Sequence, residues 1–298
     1  MKMKRLLSLV LALVLCLSVL GACNAPAEDG STDSAAGDKG DRLYLLSIGN
    51  SFSDDMLAYV YQIAKEVGYK DILLANLYIG GCSLETHYIN AVSNAPAYQF
   101  RTNNSGVFVT HKDYKMDDAL RYADWDYITM QQAPGFSGEA HTYGDLQGLI
   151  NHVTDVIPTA KLLWHLTWAF PKDSTHAAFP RYNKDQLVMY NAIVDCVQNT
   201  VLPTGAFEGV LPVGTAIQNA RTSYLGDSPF TRDMWHLSIP LGRYVAGLTL
   251  VHSLTGRSIA NLRYAPSSVS AGAKQVAIEA AQNAALNPYT VTPSTYTG

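Results

Sequence analysis

Apolar runs with the length of buried strands alternate along the chain with apolar positions at helical spacing. The runs predict five strands, at 43–48, 72–79, 126–131, 161–168 and 208–213. Apolar residues three or four positions apart predict helices at 56–67, 146–157, 182–201, 239–254 and 271–285. A short helix is expected from Ser83, and a polar turn at 103–106 predicts a hairpin over 98–110. Buried strands that alternate with helices are typical of an α/β three-layer sandwich, here with a five-stranded, mostly parallel sheet and helices on both faces.

The first residues have the pattern of an export signal. Basic residues among the first five positions precede an uncharged apolar run, Leu6–Leu20. At about 1.5 Å per residue this run is shorter than the ~30 Å hydrocarbon core, which favours a signal peptide over a membrane anchor. The run ends in Leu20-Gly21-Ala22-Cys23, which resembles a bacterial lipobox. We therefore predict a signal peptide at 1–22 and lipidation of Cys23, with an ordinary signal peptide as the alternative.

The segment that follows contains mostly small and polar residues. Positions 24–41 hold no aromatic and no large aliphatic side chain, so this stretch cannot bury enough apolar surface to fold. We predict a flexible linker over 23–41, a folded domain over 42–286 and an irregular tail over 287–298.

Composition and charge narrow the choice of function. The 298 residues are 48 % hydrophobic and 15 % charged, as in a soluble domain with a sizeable core. The net charge is −4, and no basic cluster follows the first five residues, which argues against a nucleic-acid partner. The four cysteines match no zinc-binding spacing, and no metal or cofactor is expected. Whether Cys82 and Cys196 pair stays open.

A serine lies where the first strand meets the first helix. In an open parallel sheet, ligands bind beyond the carboxyl ends of the strands, and Gly49-Asn50-Ser51-Phe52-Ser53 occupies such a position. The helix N-terminus there offers unpaired N–H groups, which together with a serine hydroxyl suit a nucleophile that has its own oxyanion donor. The alternative is that Ser51 or Ser53 only caps the helix.

A second polar motif lies near the C-terminus. Asp233-Met234-Trp235-His236 precedes the predicted helix at 239–254. An aspartate three residues before a histidine can orient the imidazole, which can then act as a general base. The alternative is a surface turn without catalytic function.

The two motifs together resemble those of the SGNH (GDSL-type) hydrolase superfamily, over about residues 43–260. This resemblance implies a five-stranded parallel sheet between helices. It also implies Ser51 as nucleophile, His236 as base and Asp233 as the residue that orients His236. Asn50 stands where the family usually has aspartate.

The resemblance also implies donors to an oxyanion. Gly81, after the second strand, matches the glycine whose N–H serves this purpose, alongside the N–H of Ser51. After the third strand the family usually has an asparagine, whereas this chain has Gln131 and Gln132. We expect Gln132 to donate in its place because Gln131 still belongs to the strand.

The resemblance implies a serine esterase, and we predict that its substrates are O-acetyl or similar short acyl esters on carbohydrate. The predicted location is extracytoplasmic, at the bacterial membrane, through a lipid anchor on Cys23. The alternative is a non-catalytic, glycan-binding surface lipoprotein on a hydrolase scaffold. The oligomeric state and any role of His87 or His141 stay open.

Overall fold

A computed structural model describes residues 40–297 of the chain. The predicted signal peptide, the predicted lipidation site Cys23 and all of the predicted linker before residue 40 lie outside the described residues. Within 40–297, every helix is too short or too polar to span a lipid bilayer.

Seven strands form the central sheet, in the order β4-β3-β2-β1-β5-β6-β7, and two short strands form a separate hairpin. The strands are β1 (Arg42–Gly49), β2 (Asp71–Tyr78), β3 (Tyr98–Asn103), β4 (Val109–Tyr114), β5 (Tyr127–Met130), β6 (Lys161–His165), β7 (Phe207–Leu211), β8 (Thr231–Arg232) and β9 (His236–Leu237). Strands β2, β1, β5, β6 and β7 run parallel to one another.

The prediction of a five-stranded sheet is wrong in its count. The five parallel strands are those that the apolar runs predict, but the hairpin at 98–110 also belongs to the sheet. Its strand β3 pairs antiparallel with β2, and β4 pairs with β3 at the edge. Tyr98 and Phe100 of β3 are buried, so the hairpin contributes to the core, whereas β4 is largely exposed, as expected for an edge strand.

Nine α-helices accompany these strands in residues 40–297. They are α1 (Ser51–Leu57), α2 (Val60–Glu66), α3 (Leu84–Val92), α4 (Met116–Leu120), α5 (Leu146–Val156), α6 (Gln186–Cys196), α7 (Val213–Arg221), α8 (Leu241–Thr255) and α9 (Ala271–Leu286). The helix predicted at 56–67 is interrupted between α1 and α2. Helix α6 starts later than predicted because the Asp185 carboxylate accepts from the N–H groups of Leu187 and Val188, which fixes the N-terminus there.

Helices flank the sheet and bury its central strands. Helices α1, α2, α7, α8 and α9 contact one another in a connected group, and α3, α4 and α5 form a second group. Leu45, Leu46 and Ile48 of β1 are all essentially inaccessible, although neighbouring side chains of a strand point to opposite faces. Both faces of the central strands are therefore covered, and the carboxyl ends of these strands form the edge where β1 meets α1.

Candidate active site

Ser51 is the first residue of α1 and lies at the carboxyl end of β1. The residue that caps α1 is Asn50, whose side-chain oxygen accepts from the N–H of Phe52 at 2.9 Å. The alternative that a serine caps this helix is therefore wrong. The Ser51 hydroxyl instead lies 2.7 Å from Nε2 of His236, a residue far away in the sequence.

Asp233 and His236 lie at the turn of the β8–β9 hairpin. The Asp233 carboxylate is 3.0 Å from Nδ1 of His236, and it also accepts from the backbone N–H of His236 at 3.2 Å. Partial burial raises the pKa of this carboxyl, but the hydrogen bonds from His236 and the charge of Arg232 outweigh burial and lower it. Asp233 is therefore a carboxylate at neutral pH, and it holds the imidazole with Nε2 towards Ser51.

Hydrogen bonds from neighbouring loops hold the turn between Asp233 and His236. The backbone of Asp233 and Met234 has positive φ values, 34° and 72°, which most residues adopt only under constraint. The carbonyl of Met234 accepts from the Ser174 hydroxyl and that of Trp235 from the Trp168 indole, each at 2.7 Å. These bonds fix the position of the imidazole relative to α1.

Asp55 is a site residue that sequence reasoning missed. Its carboxylate is fully buried and accepts from the N–H of Leu237 at 2.8 Å, from Arg243 at 2.8 Å and from Arg232 at 3.1 Å. It thereby joins α1 to the β8–β9 hairpin and to α8. The available signal was helical spacing, because Asp55 follows Phe52 by three positions and so shares the buried face of α1.

Two backbone N–H groups remain available in the pocket that Ser51 lines. Ser51 and Gly81 line the same pocket, and within residues 40–297 neither N–H is donated to a protein group. The Ser51 N–H is one of those that a helix N-terminus leaves unpaired. Gly81 has a φ of +63°, a conformation in which glycine is unstrained, and this allows the backbone to approach a ligand.

The structure does not bring Gln132 to these donors, and this corrects the prediction of its role. Its amide nitrogen donates to the backbone oxygen of Thr142 at 2.9 Å and to the hydroxyl of Thr142 at 3.0 Å. Its amide oxygen accepts from the N–H groups of Leu84 and Ala133. The side chain is 1 % exposed, so both amide hydrogens are committed to holding loops together.

Gln131 is equally buried and forms a hydrogen bond with Asn50. Its amide nitrogen donates to the Asn50 side-chain oxygen at 2.9 Å, while the Asn50 amide donates to the backbone oxygen of Cys82 at 3.2 Å. A carboxylate at position 50 could not make this second bond, because it has no hydrogen to donate at neutral pH. Asn50 therefore connects the loops that follow β1, β2 and β5.

A pocket of about 510 Å³ opens next to Ser51 and His236. Its walls come from the segments 78–81, 133–136 and 176–181, together with Trp235. This volume lies within the range of small-molecule sites, and the position matches the ligand-binding edge of an open parallel sheet.

His176 is a second residue that the sequence analysis missed. Its Nδ1 accepts from the N–H of Ala178 at 3.1 Å, so Nε2 carries the proton of the neutral ring. Burial, together with the charges of Arg181 and His236, lowers the pKa of His176. The ring packs against Trp235 in the pocket wall and can donate a hydrogen bond there. An isolated histidine in a loop belongs to no sequence pattern that would identify it as a site residue.

The other histidines and the cysteines named in the sequence analysis lie elsewhere. His87 is buried against Tyr98, and burial lowers its pKa to about 3, whereas His141 lies 3.7 Å from Glu139 and outside the pocket. Cys82 and Cys196 are both unpaired and buried, and burial raises their pKa values to about 12 and about 11 respectively. In the described part of the chain no cluster of His, Cys, Asp and Glu could hold a metal ion.

Comparison with other proteins identifies a family. Residues 44–284 match the family described as a domain of unknown function, DUF4886. The crystal structure of a DUF4886 family protein from Bacteroides uniformis is 37 % identical, with a TM-score of 0.83, and the similarity covers 87 % of this chain and all of that one.

The similarity of this chain to a more distant solved structure is weak. A protein from Slackia heliotrinireducens, named as a candidate SGNH hydrolase, is 16 % identical with a TM-score of 0.44, over 72 % of this chain and 99 % of that one. This likeness is too low to support a fold or an activity, and no curated protein matches the sequence. The chain belongs to the DUF4886 family.

Proposed function

We propose that this protein is a serine ester hydrolase of the SGNH type. The observation that carries the proposal is the line of three side chains from Asp233 through His236 to Ser51, with contacts of 3.0 Å and 2.7 Å. A nucleophile, a base and a group that orients the base, each within hydrogen-bonding distance of the next, are what acyl transfer by a serine requires.

In the proposed first half-reaction, Ser51 Oγ attacks the ester carbonyl and its proton passes to Nε2 of His236. The carbonyl electron pair moves to oxygen, and the N–H groups of Ser51 and Gly81 stabilise that oxyanion. When the carbon–oxygen bond to the alcohol breaks, the alkoxide takes the proton from His236. The products are the free alcohol and an acyl group on Ser51.

In the proposed second half-reaction, water replaces the alcohol. His236 takes a proton from the attacking water, and the second oxyanion is held by the same two N–H groups. Its collapse returns the electron pair to Ser51 Oγ, which takes the proton back from His236 and releases the carboxylic acid. Asp233 stays ionised throughout and stabilises the imidazolium in both halves.

The proposed substrates are O-acetyl or similar short acyl esters on carbohydrate. The pocket supports this because Tyr78, Phe136 and Trp235 contribute aromatic surface to its wall, and aromatic faces accept a sugar ring, with the hydroxyl of Tyr78 and the indole N–H of Trp235 as polar edges. The proposed location, outside the cytoplasm and anchored through Cys23, has its support in the sequence of residues 1–23.

The test is hydrolysis of p-nitrophenyl acetate by purified wild-type protein, Ser51→Ala and His236→Ala. We expect each substitution to lower kcat/KM by about 10³-fold or more, because the nucleophile or its base is lost. Ser105→Ala is the matched control, since this serine lies in the exposed turn between β3 and β4.

Labelling by a fluorophosphonate tests the nucleophile directly. We expect the wild-type protein to be labelled at Ser51 and Ser51→Ala to remain unlabelled. Full esterase activity in Ser51→Ala would contradict the proposal. An inactive and unlabelled wild-type protein would also contradict it and would favour the glycan-binding alternative.

A further inference from the structure

A single arginine lies in the wall of the pocket beside Ser51. Arg181 belongs to a short 3₁₀ turn, Phe179–Tyr182, and is exposed. Its guanidinium lies over the Phe136 ring, 4.7 Å from the centroid, and is 3.4 Å from the Gly135 carbonyl. These contacts hold the side chain against the pocket wall but leave most of its donors unused.

The charge of Arg181 is not compensated by any carboxylate. None of the residues that line the pocket is an aspartate or a glutamate, and Arg181 forms no ion pair within residues 40–297. The other arginines close to this region are balanced by carboxylates. Arg101 pairs with Asp54, while Arg232 and Arg243 share the buried Asp55 and Arg232 also lies 3.7 Å from Asp233. Arg181 therefore supplies the unbalanced positive charge of the pocket.

The pocket differs in this respect from the chain as a whole, whose net charge is −4. The net negative charge of the protein does not attract an anionic substrate. A preference for anions must therefore come from local contacts. Arg181 can make such contacts, because its planar fork matches the two oxygens of a carboxylate or of a sulfate group. Its neighbour His176 adds a neutral N–H donor on the same wall.

We propose, resting on the esterase function above, that Arg181 binds an oxyanion carried by the sugar of the substrate. The preferred substrates are then acyl esters of acidic saccharides, whose carboxylate or sulfate group contacts Arg181 while the ester carbonyl lies at Ser51. The aromatic rings of Trp235 and Tyr78 contact the sugar between these two points. Arg181 thus determines specificity and takes no part in bond making.

The test compares the release of acetate from sugars that carry or lack an anionic group. The first is an O-acetylated methyl galacturonoside with its free carboxylate, the second is its neutral methyl ester, and an O-acetylated galactose 6-sulfate distinguishes the two oxyanions. We expect the wild-type protein to hydrolyse the acid about ten- to hundredfold faster in kcat/KM than the methyl ester, mainly through KM.

Three variants assign this preference to Arg181. In Arg181→Gln the ratio of acid to methyl ester should fall close to one, and Arg181→Lys should keep part of it, because the charge remains but the fork is lost. Arg263→Gln is the control for net charge, since this exposed arginine lies outside the pocket, and it should keep the wild-type ratio. Equal rates on all three substrates in the wild-type protein, or an unchanged ratio in Arg181→Gln, would overturn the proposal.

A binding measurement separates this inference from the esterase function. Calorimetry with Ser51→Ala reports the Kd of the acid and of its methyl ester without turnover. Tighter binding of the acid that disappears in the double variant Ser51→Ala, Arg181→Gln would support the role of Arg181 even if no ester were hydrolysed. Equal binding of both compounds would overturn it whatever the esterase assay shows.

Discussion

Gln131 holds a buried polar network directly behind the Ser51 loop. Its amide oxygen accepts from the Ser53 hydroxyl at 2.7 Å and from Nδ1 of His165 at 2.8 Å, while its amide nitrogen donates to Asn50 at 2.9 Å. All four side chains are inaccessible to solvent or nearly so. A buried polar group without a hydrogen-bond partner costs about 1–3 kcal/mol. Gln131 is the partner of three such side chains, so its loss would affect all three.

Replacing Gln131 by methionine should therefore destabilise the fold. The side chain keeps nearly its volume, but Ser53, His165 and Asn50 each lose a partner, and we expect the free energy of unfolding to fall by about 3 kcal/mol or more. Urea denaturation measures the change. Gln147→Met is the matched control, because Gln147 is exposed and bonds only to Asn151, and its effect should stay below about 0.5 kcal/mol. Equal stability of the two variants would contradict this account of the network.

Single residues show where sequence reasoning reaches its limit. Position relative to β1 alone left a helix cap as the alternative for Ser51, and only its combination with the Asp233–His236 motif selected it, whereas the spacing from Asp233 to His236 was enough to expect their mutual contact. The choice between Gln131 and Gln132 was not accessible in the same way. β5 ends at Met130, so Gln131 already lies outside the strand, contrary to the expectation, and the direction of each amide depends on partners such as Thr142 that lie outside the motif.

The relative position of two elements, α1 and the β8–β9 hairpin, determines the contact between Ser51 and His236. Each hairpin strand has only two residues, which is too short for stability without tertiary contacts. Asp55 supplies such contacts, since its carboxylate binds the Leu237 N–H in β9 and the side chains of Arg232 and Arg243.

Replacing Asp55 by asparagine should displace the hairpin. Two arginines lose their carboxylate, and breaking a buried ion pair in this way costs about 3–5 kcal/mol. We expect lower stability and, because His236 is no longer held at Ser51, a loss of kcat that exceeds any change in KM. Asp54→Asn is the matched control, because Asp54 bonds to Asn76 and Arg101 and not to the hairpin. A wild-type kcat in folded Asp55→Asn would exclude this positioning role.

Among the elements, strands with long apolar runs could be predicted from the sequence, whereas the pairing of strands at the edge of the sheet could not. The five parallel strands are almost continuously apolar, so each was visible by itself. The hairpin at 98–110 was also visible, but its pairing with β2 depends on backbone hydrogen bonds that no side-chain pattern reports. The β8–β9 hairpin was missed because four residues are too few for a periodic signal.

For the molecule as a whole, two buried histidines couple folding to pH. His87 and His165 are fully enclosed, and burial lowers the pKa of each to about 3 from an ordinary value of 6.5. Between these pH values the unfolded chain binds more protons than the folded chain does. The free energy of unfolding is therefore not reduced by these two histidines above pH 6.5, and it decreases as the pH falls below 6.5.

We expect the free energy of unfolding to decrease below pH 6.5 by up to about 1.4 kcal/mol per pH unit for each of these histidines. Urea denaturation between pH 7.5 and 5 measures this slope in a range where carboxyl groups contribute little, because their ordinary pKa values lie at about 4. His87→Phe keeps a ring against Tyr98 but cannot bind a proton, so its slope should be smaller than that of the wild-type protein. His111→Phe, at an exposed position of β4, should keep the wild-type slope. A full wild-type slope in His87→Phe would show that burial of His87 does not set the pH dependence of folding.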